Sequence, residues 1–245
     1  MSCSSSDFIY MENICKKFGK SEVLKNVTVK IARNKITSVV GDNGSGKSTL
    51  IKIMSGTLKP SSGSIYIEGK HYTYLTTKIA YNNGISTVYQ DLSLDNFRDA
   101  VGNIFLGMEI TKYGFILDYK EMNRQTEKLL QGLNINIPYT NIPVGYLSGG
   151  QRQSIAIARS IFQGEKLIIF DEPTAAMGIK ESEAINALIK SLPSKGYTVV
   201  MISHDINQVY EISDRIYMLR NGQVIKYSDK EDITLNEIKQ KIKGT

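Results

Sequence analysis

The sequence predicts an α/β fold, with a parallel sheet covered by helices, an antiparallel β edge and a helical insertion. Three observations carry this reading. Short runs rich in Val and Ile, at residues 35–40, 167–170 and 198–202, alternate with helical stretches, the pattern of strands buried on both faces. A glycine-rich turn at residues 41–46 links the first of these runs to a helix starting at Lys47, giving a strand, loop, helix unit. Two opening stretches, residues 8–14 and 23–31, instead alternate apolar and polar side chains with the period of half-buried strands.

The remaining elements follow in order. Helices are expected over residues 47–54, 100–106, 119–133, 151–162, 180–192 and 206–212, with short strands at 64–67 and 85–89 and two more within 215–226. Glycine and proline punctuate the middle of the chain, which reads as a small helical subdomain, about residues 92–163, inserted into the α/β core. No motif occurs twice, so there is no internal repeat. Residues 227–243 mix charges with Ile233, Leu235, Ile238 and Ile242 and read as an amphipathic helix with a solvated face.

At 245 residues and 41% hydrophobic content the chain is long enough for one well-filled core or two small ones sharing a border, and a single domain spanning 1–245 is expected. Lys and Arg number 30 against 24 Asp and Glu, a net +6, but the charges form no long basic block and no nucleic-acid partner is expected. Cys3 and Cys15 have no His or second cysteine pair at a metal-ligand spacing and read as reduced bystander thiols. No run approaches the roughly 18 apolar residues of a membrane-spanning helix. Residues 1–7 are polar, without the apolar centre of a signal peptide, so a cytoplasmic chain is expected, free or held to a membrane by partners.

Gly41-Asp42-Asn43-Gly44-Ser45-Gly46-Lys47-Ser48 fits the phosphate-binding loop pattern in its required context. Glycines let backbone N–H groups turn toward phosphate oxygens, the helix N-terminus adds positive potential, Lys47 supplies a point charge and Ser48 can hold Mg²⁺. The apolar strand at 167–170 delivers Asp171 and Glu172 at its C-terminal end, where ligands sit in open α/β sheets. Asp171 suits Mg²⁺, and Glu172 suits a general base polarising the attacking water; either acid alone could equally cap the turn to Pro173. Leu147-Ser148-Gly149-Gly150-Gln151 precedes a helix, so Ser148 can cap it while the glycines admit an anion, a second such helix terminus in one chain.

Together with Gln90, in Tyr89-Gln90-Asp91, and His204, in Ile202-Ser203-His204-Asp205, these motifs in this order resemble the nucleotide-binding subunit of an ATP-binding cassette transporter over nearly the whole chain. The resemblance implies ATP and Mg²⁺ as cofactors. It places Gly41, Asn43, Gly44, Ser45, Gly46, Lys47, Ser48 and Thr49 around the phosphates and Phe18 on the adenine. It sets Ser48, Gln90 and Asp171 at Mg²⁺, and Glu172, His204 and Gln90 in catalysis, with His204 reaching the γ-phosphate. It also implies that Ser148, Gly149, Gly150 and Gln151 close on the ATP of a second nucleotide-binding subunit, most simply an identical chain. Membrane-spanning permease subunits, engaged through the surface near residues 90–97, and indirectly an external solute-binding protein would complete the assembly at the cytoplasmic face of the membrane.

Residues 84–94, 103–107 and 171–178 are similar to importers of simple sugars such as ribose, xylose or fructose. Two departures stand out: many such importers carry two cassettes in one polypeptide, and Gly178 replaces a common aspartate. Competing readings are a soluble cassette ATPase of DNA repair or translation, a nucleotide-gated module that barely hydrolyses ATP, and an exporter. The segment between Gln90 and Leu147 is too short for the coiled-coil arm of the repair type, and Glu172 argues against the non-hydrolysing module.

Overall fold

The computed structural model describes residues 7–175 and 177–243. Cys3 and the polar start at residues 1–6 lie outside them. The elements, in order, are β1 Asp7–Phe18, β2 Ser21–Ala32, β3 Ile36–Val40, α1 Lys47–Met54, β4 Ser62–Ile67, β5 Lys70–Tyr72, α2 Thr77–Asn82, β6 Ile85–Val88, α3 Ala100–Ile104, β7 Thr111–Lys112, β8 Ile116–Leu117 and α4 Tyr119–Gly132. There follow α5 Gly149–Phe162, β9 Leu167–Asp171, α6 Ile179–Ser191, β10 Thr198–Ile202, α7 Ile206–Ile212, β11 Arg215–Arg220, β12 Gln223–Asp229 and α8 Leu235–Lys243. The chain forms two compact units. Among the described residues, one holds 7–87, 166–172 and 189–243; the other holds 88–165 and 173–188.

In the first unit the order β12-β11-β3-β10-β9-β6 makes a mixed sheet, in which β11, β3, β10 and β9 run parallel. A second, antiparallel sheet has the order β2-β1-β4-β5. Ile9, Met11, Leu24 and Ile65 of the antiparallel sheet share one core with Leu50 and Ile53 of α1 and with Val39, Ile169 and Val200 of the mixed sheet. The fold class is therefore α/β, with the antiparallel edge. β3, β9 and β10 end at the same level, because Val39 pairs with Ile202 and Ile202 with Asp171. The loops that follow these three strands carry the polar motifs.

The opening strands are longer than the expected 8–14 and 23–31. Asn13 and Asn26, both in the left-handed region, break the alternation, and the register of β1 on β2 shifts between Met11 and Ile14. Such bulges flip the side-chain period in mid-strand, so the pattern stops although the pairing continues. Residues 227–243 are not one helix: β12 runs to Asp229, and only Leu235–Lys243 is helical, with Ile238 buried.

The second unit packs α3, α4 and α5 around Val101, Ile104, Met122, Leu130, Ile155 and Ile157, all buried, with the Phe105 and Phe162 rings 4.2 Å apart. It is not wholly helical. Tyr113 and Gly114, both at positive φ, reverse the chain so that β7 and β8 pair as a short hairpin.

Candidate nucleotide site

The glycine-rich loop leaves β3 at Gly41, where a Cβ would stand 2.0 Å from the Leu219 carbonyl oxygen; only a hydrogen fits. Gly46 closes the loop as the cap of α1, at φ 107 and without a side-chain acceptor, and the first turn of α1 has no acidic residue. The helix therefore presents its positive end with no built-in counter-charge. The turn between β11 and β12 braces the loop from outside: Gly222 N–H donates to Ser45 O at 3.1 Å, and Lys25 N–H of β2 donates to Gly222 O at 2.8 Å.

Lys47 is 93% buried by surface (7% exposed), and its Nζ donates to Gly41 O at 2.6 Å and Asp42 O at 2.9 Å. Burial holds this ammonium below the usual lysine range, opposed by the negative charge of Glu172, Asp42 and Asp171. Beside it Ser45 is buried, and its hydroxyl oxygen has no hydrogen-bond partner. A buried orphan hydroxyl and a buried ammonium resting on carbonyl oxygens both gain from a multiply charged oxyanion. Asn43, Gly44 and Ser48 are exposed, and Thr49 is half-buried.

β9 delivers Asp171 half-buried at its last position. Burial raises the Asp171 carboxyl, Glu172 adds to the rise, and Lys52 and Lys47 pull it down. A divalent cation beside it would remove this penalty. Glu172 takes φ 52, the left-handed region that non-glycine residues rarely adopt, and its N–H donates to Ile202 O at 2.9 Å. From the end of β10, His204 places Nδ1 3.1 Å from Glu172 Oε1. The histidine is held by its neighbours: Ser203 Oγ donates to Gln208 Oε1 at 2.8 Å and accepts from Asp205 N–H at 3.0 Å, while Asp205 caps α7. Phe18 stands half-exposed at the end of β1, with the Lys16 ammonium 5.0 Å from its ring centre.

Lys47, Ser45, Asp171, Glu172 and His204 thus come together in the first unit. Ser148–Gln151 and Gln90 belong to the second. There Ser148 Oγ accepts from Gln151 N–H at 3.3 Å and Gln151 Oε1 accepts from Ser148 N–H at 3.0 Å, a reciprocal capping box. The cap pulls Gly149 and Gly150 into the first turn of α5, so the helix starts two residues before the expected Gln151. Gln90 is exposed on a bend after β6.

Residues 24–175 match the family model described as ABC transporter. The chain belongs to the ABC transporter family. Among curated relatives, this ABC ATPase is 42% identical over 233 residues to the xylose/arabinose import ATP-binding protein XylG of Sulfolobus acidocaldarius, covering 95% of the chain and 92% of the relative. It is 38% identical to the fructose import ATP-binding protein FrcA of Rhizobium meliloti, covering 91% and 89%. It is 36% identical to the ribose import ATP-binding protein RbsA of Yersinia pestis, where 96% of the chain spans 46% of the relative, about half its length. Of solved structures, a nucleotide-free ATP-binding cassette from an ABC transporter superposes with a TM-score of 0.82 at 28% identity, covering 98% and 96% of the two chains. A dimeric post-hydrolysis cassette bound to ADP and Pi superposes with a TM-score of 0.76 at 30% identity, covering 92% and 100%.

In this ABC ATPase the supporting residues left little trace in the sequence. Gly222 in a turn, Leu219 in β11, and Ser203 with its partner Gln208 in α7 shape the site from positions distant in the chain from the glycine-rich loop, and each looks ordinary when read alone.

Proposed function

We propose that this chain is the ATP-hydrolysing subunit of a membrane importer of a monosaccharide, a pentose or a hexose. The observation that carries the reading is the convergence of a buried ammonium, a partnerless buried hydroxyl and a carboxylate–imidazole pair at one end of a parallel sheet. Support for the sugar comes from the relatives, whose names specify import of xylose and arabinose, fructose, or ribose.

In this reading residues 1–245 form one cassette domain, with a helical subdomain at about 92–163. The loop from Gly41 to Gly46 wraps the β- and γ-phosphates, Lys47 exchanges its carbonyl partners for phosphate oxygens, Ser48 and Thr49 complete the cradle, and Phe18 stacks on the base. Ser48, Gln90 and Asp171 would hold Mg²⁺, which offsets the charge of the bound phosphates. Glu172 takes the proton of the attacking water, and His204, oriented through Ser203 and Asp205, keeps that carboxylate aimed and reaches the γ-phosphate.

The capping box at Ser148 and Gln151, with Gly149 and Gly150, offers its helix terminus to the ATP of a second copy, so two chains complete two sites. No helix among the described residues is long and apolar enough to cross a membrane, so membrane-spanning permease subunits supply the path. The assembly works at the cytoplasmic face, and an external solute-binding protein presents the sugar. Nucleic acid has no part in it.

The test is ATP hydrolysis by the chain reconstituted with its permease subunits in vesicles. Xylose, arabinose, ribose and fructose, each with its binding protein, are supplied in turn. Stimulation by one of them supports the reading. Steady hydrolysis indifferent to all sugars, but raised by another solute, would replace the monosaccharide.

A further inference from the structure

The loop that follows Gln90 and the helix α5 are tied together at both ends of the helix. Near its C-terminal end, the Arg159 guanidinium forks onto two backbone carbonyls, Nη1 to Ser93 O and Nη2 to Leu92 O, both at 2.9 Å. Before its N-terminal end, Val144 N–H donates to Arg98 O at 2.9 Å and Gly145 N–H to Asn96 O at 3.1 Å, directly upstream of Ser148. Ser148 and Arg159 are about 16 Å apart along the helix. A segment pinned across that span cannot tilt independently of it.

The loop itself is stiffened from within. Asn103 is fully buried, and its amide accepts from Asp95 N–H at 2.8 Å and donates to Asp95 O, Arg98 O and Asp99 O at 3.0–3.2 Å. Asp95 Oδ1 accepts from Phe97 N–H at 3.0 Å, and the Phe97 side chain at the apex is 93% exposed. At Gly145 a Cβ would press on Asn96 O at 3.0 Å, so this crossing also has no slack.

We infer that residues 92–98 and α5 form a single rigid lever with Phe97 as its exposed tip, and that Arg159 is the positioning residue that makes them one body. The inference rests on the reading above, in which ATP engages the Ser148 end of α5. Arg159 touches no nucleotide in that reading. Its partners are two neutral carbonyls, a geometry that a planar two-pronged donor satisfies and a lysine ammonium does not. Burial of the guanidinium holds its proton less tightly than usual, in keeping with a site built for hydrogen bonding and not for an ion pair.

The experiment is amide hydrogen exchange on the full chain carrying Glu172→Gln, with and without ATP and Mg²⁺. Slower exchange with ATP is expected at 41–48 and, transmitted through α5, at 92–98. Adding Arg159→Gln is expected to leave ATP affinity within about twofold and the slowing at 41–48 intact, while abolishing the slowing at 92–98. Arg159→Lys keeps the half-buried charge and the fold but not the fork, and is expected to lose most of the same response. Persistence of the ATP response at 92–98 in both variants overturns the lever, as does a loop that never responds although 41–48 does. Failure of ATP to protect 41–48 in the parent instead removes the nucleotide reading itself.

Discussion

Glu172 and His204 face each other from neighbouring parallel strands, Oε1 to Nδ1 at 3.1 Å, one residue past the end of β9 and two past the end of β10. Since Ile202 pairs with Asp171, the sheet register fixes this contact. Replacing His204 by Ala removes the partner that aims Glu172 while leaving the phosphate loop untouched. Turnover is expected to fall by about 10- to 100-fold with ATP affinity nearly unchanged, read as a loss in kcat without a matching rise in KM.

Gly41 is confined by the fold. A methyl group there would meet the Leu219 backbone oxygen at 2.0 Å with φ at 156. Gly41→Ala is expected to cost about 3 kcal/mol or more, because backbone on both sides must shift. Chemical denaturation of the nucleotide-free chain measures it, and a change under about 0.5 kcal/mol would contradict the packing described.

Ser148 caps α5, and in the proposed assembly it has a second, separable role. As half of a capping box it contributes about 1 kcal/mol, so Ser148→Ala is expected to lower stability by that amount. As an anion site closing on a second copy, its loss is expected to abolish ATP-dependent dimerisation, a far larger effect than the stability change, which analytical ultracentrifugation of the two proteins with ATP compares directly.

Glu165 is buried with both carboxylate oxygens lacking partners, and burial pushes its carboxyl up to about 7 from 4.5. The folded state thus holds this proton more tightly than the unfolded chain. The linked stability is fully present below about pH 4.5 and is lost as pH rises through about 7, a difference of about 3 kcal/mol. Glu165→Gln mimics the protonated form at every pH. Its melting temperature should lose the part of the pH dependence between 5 and 8 that the parent shows; identical profiles for the two proteins would contradict an unpartnered buried carboxyl.

The phosphate loop and the Asp171–Glu172 pair were legible in the sequence because their chemistry is local: a turn that only glycines can make, and an apolar strand that stops at two acids. The alternation of α and β was legible for the same reason. What stayed hidden depends on partners far along the chain. The bulge at Asn13 cuts the apparent first strand short, Gly222 braces Ser45 from the turn between β11 and β12, and the Ser203–Gln208 bond beside His204, though local, belongs to no motif. The hairpin at Thr111–Leu117 leaves no mark in the sequence, because strands of two residues are too short to show a period. The helix expected over 227–243 exceeds α8 because the end of β12 and the short link after it are as rich in charges as α8 itself, and charge alone marks no boundary.

The central claim, that Glu172 is the base of an ATP-hydrolysing site, is tested most directly by phosphate release and ATP binding measured side by side on wild type and Glu172→Gln. Turnover is expected to be lower by roughly 10²- to 10⁴-fold in the variant, with ATP affinity retained and an ATP-bound dimer accumulating. Equal turnover in the two proteins, or a wild type that binds ATP without ever releasing phosphate, would contradict it.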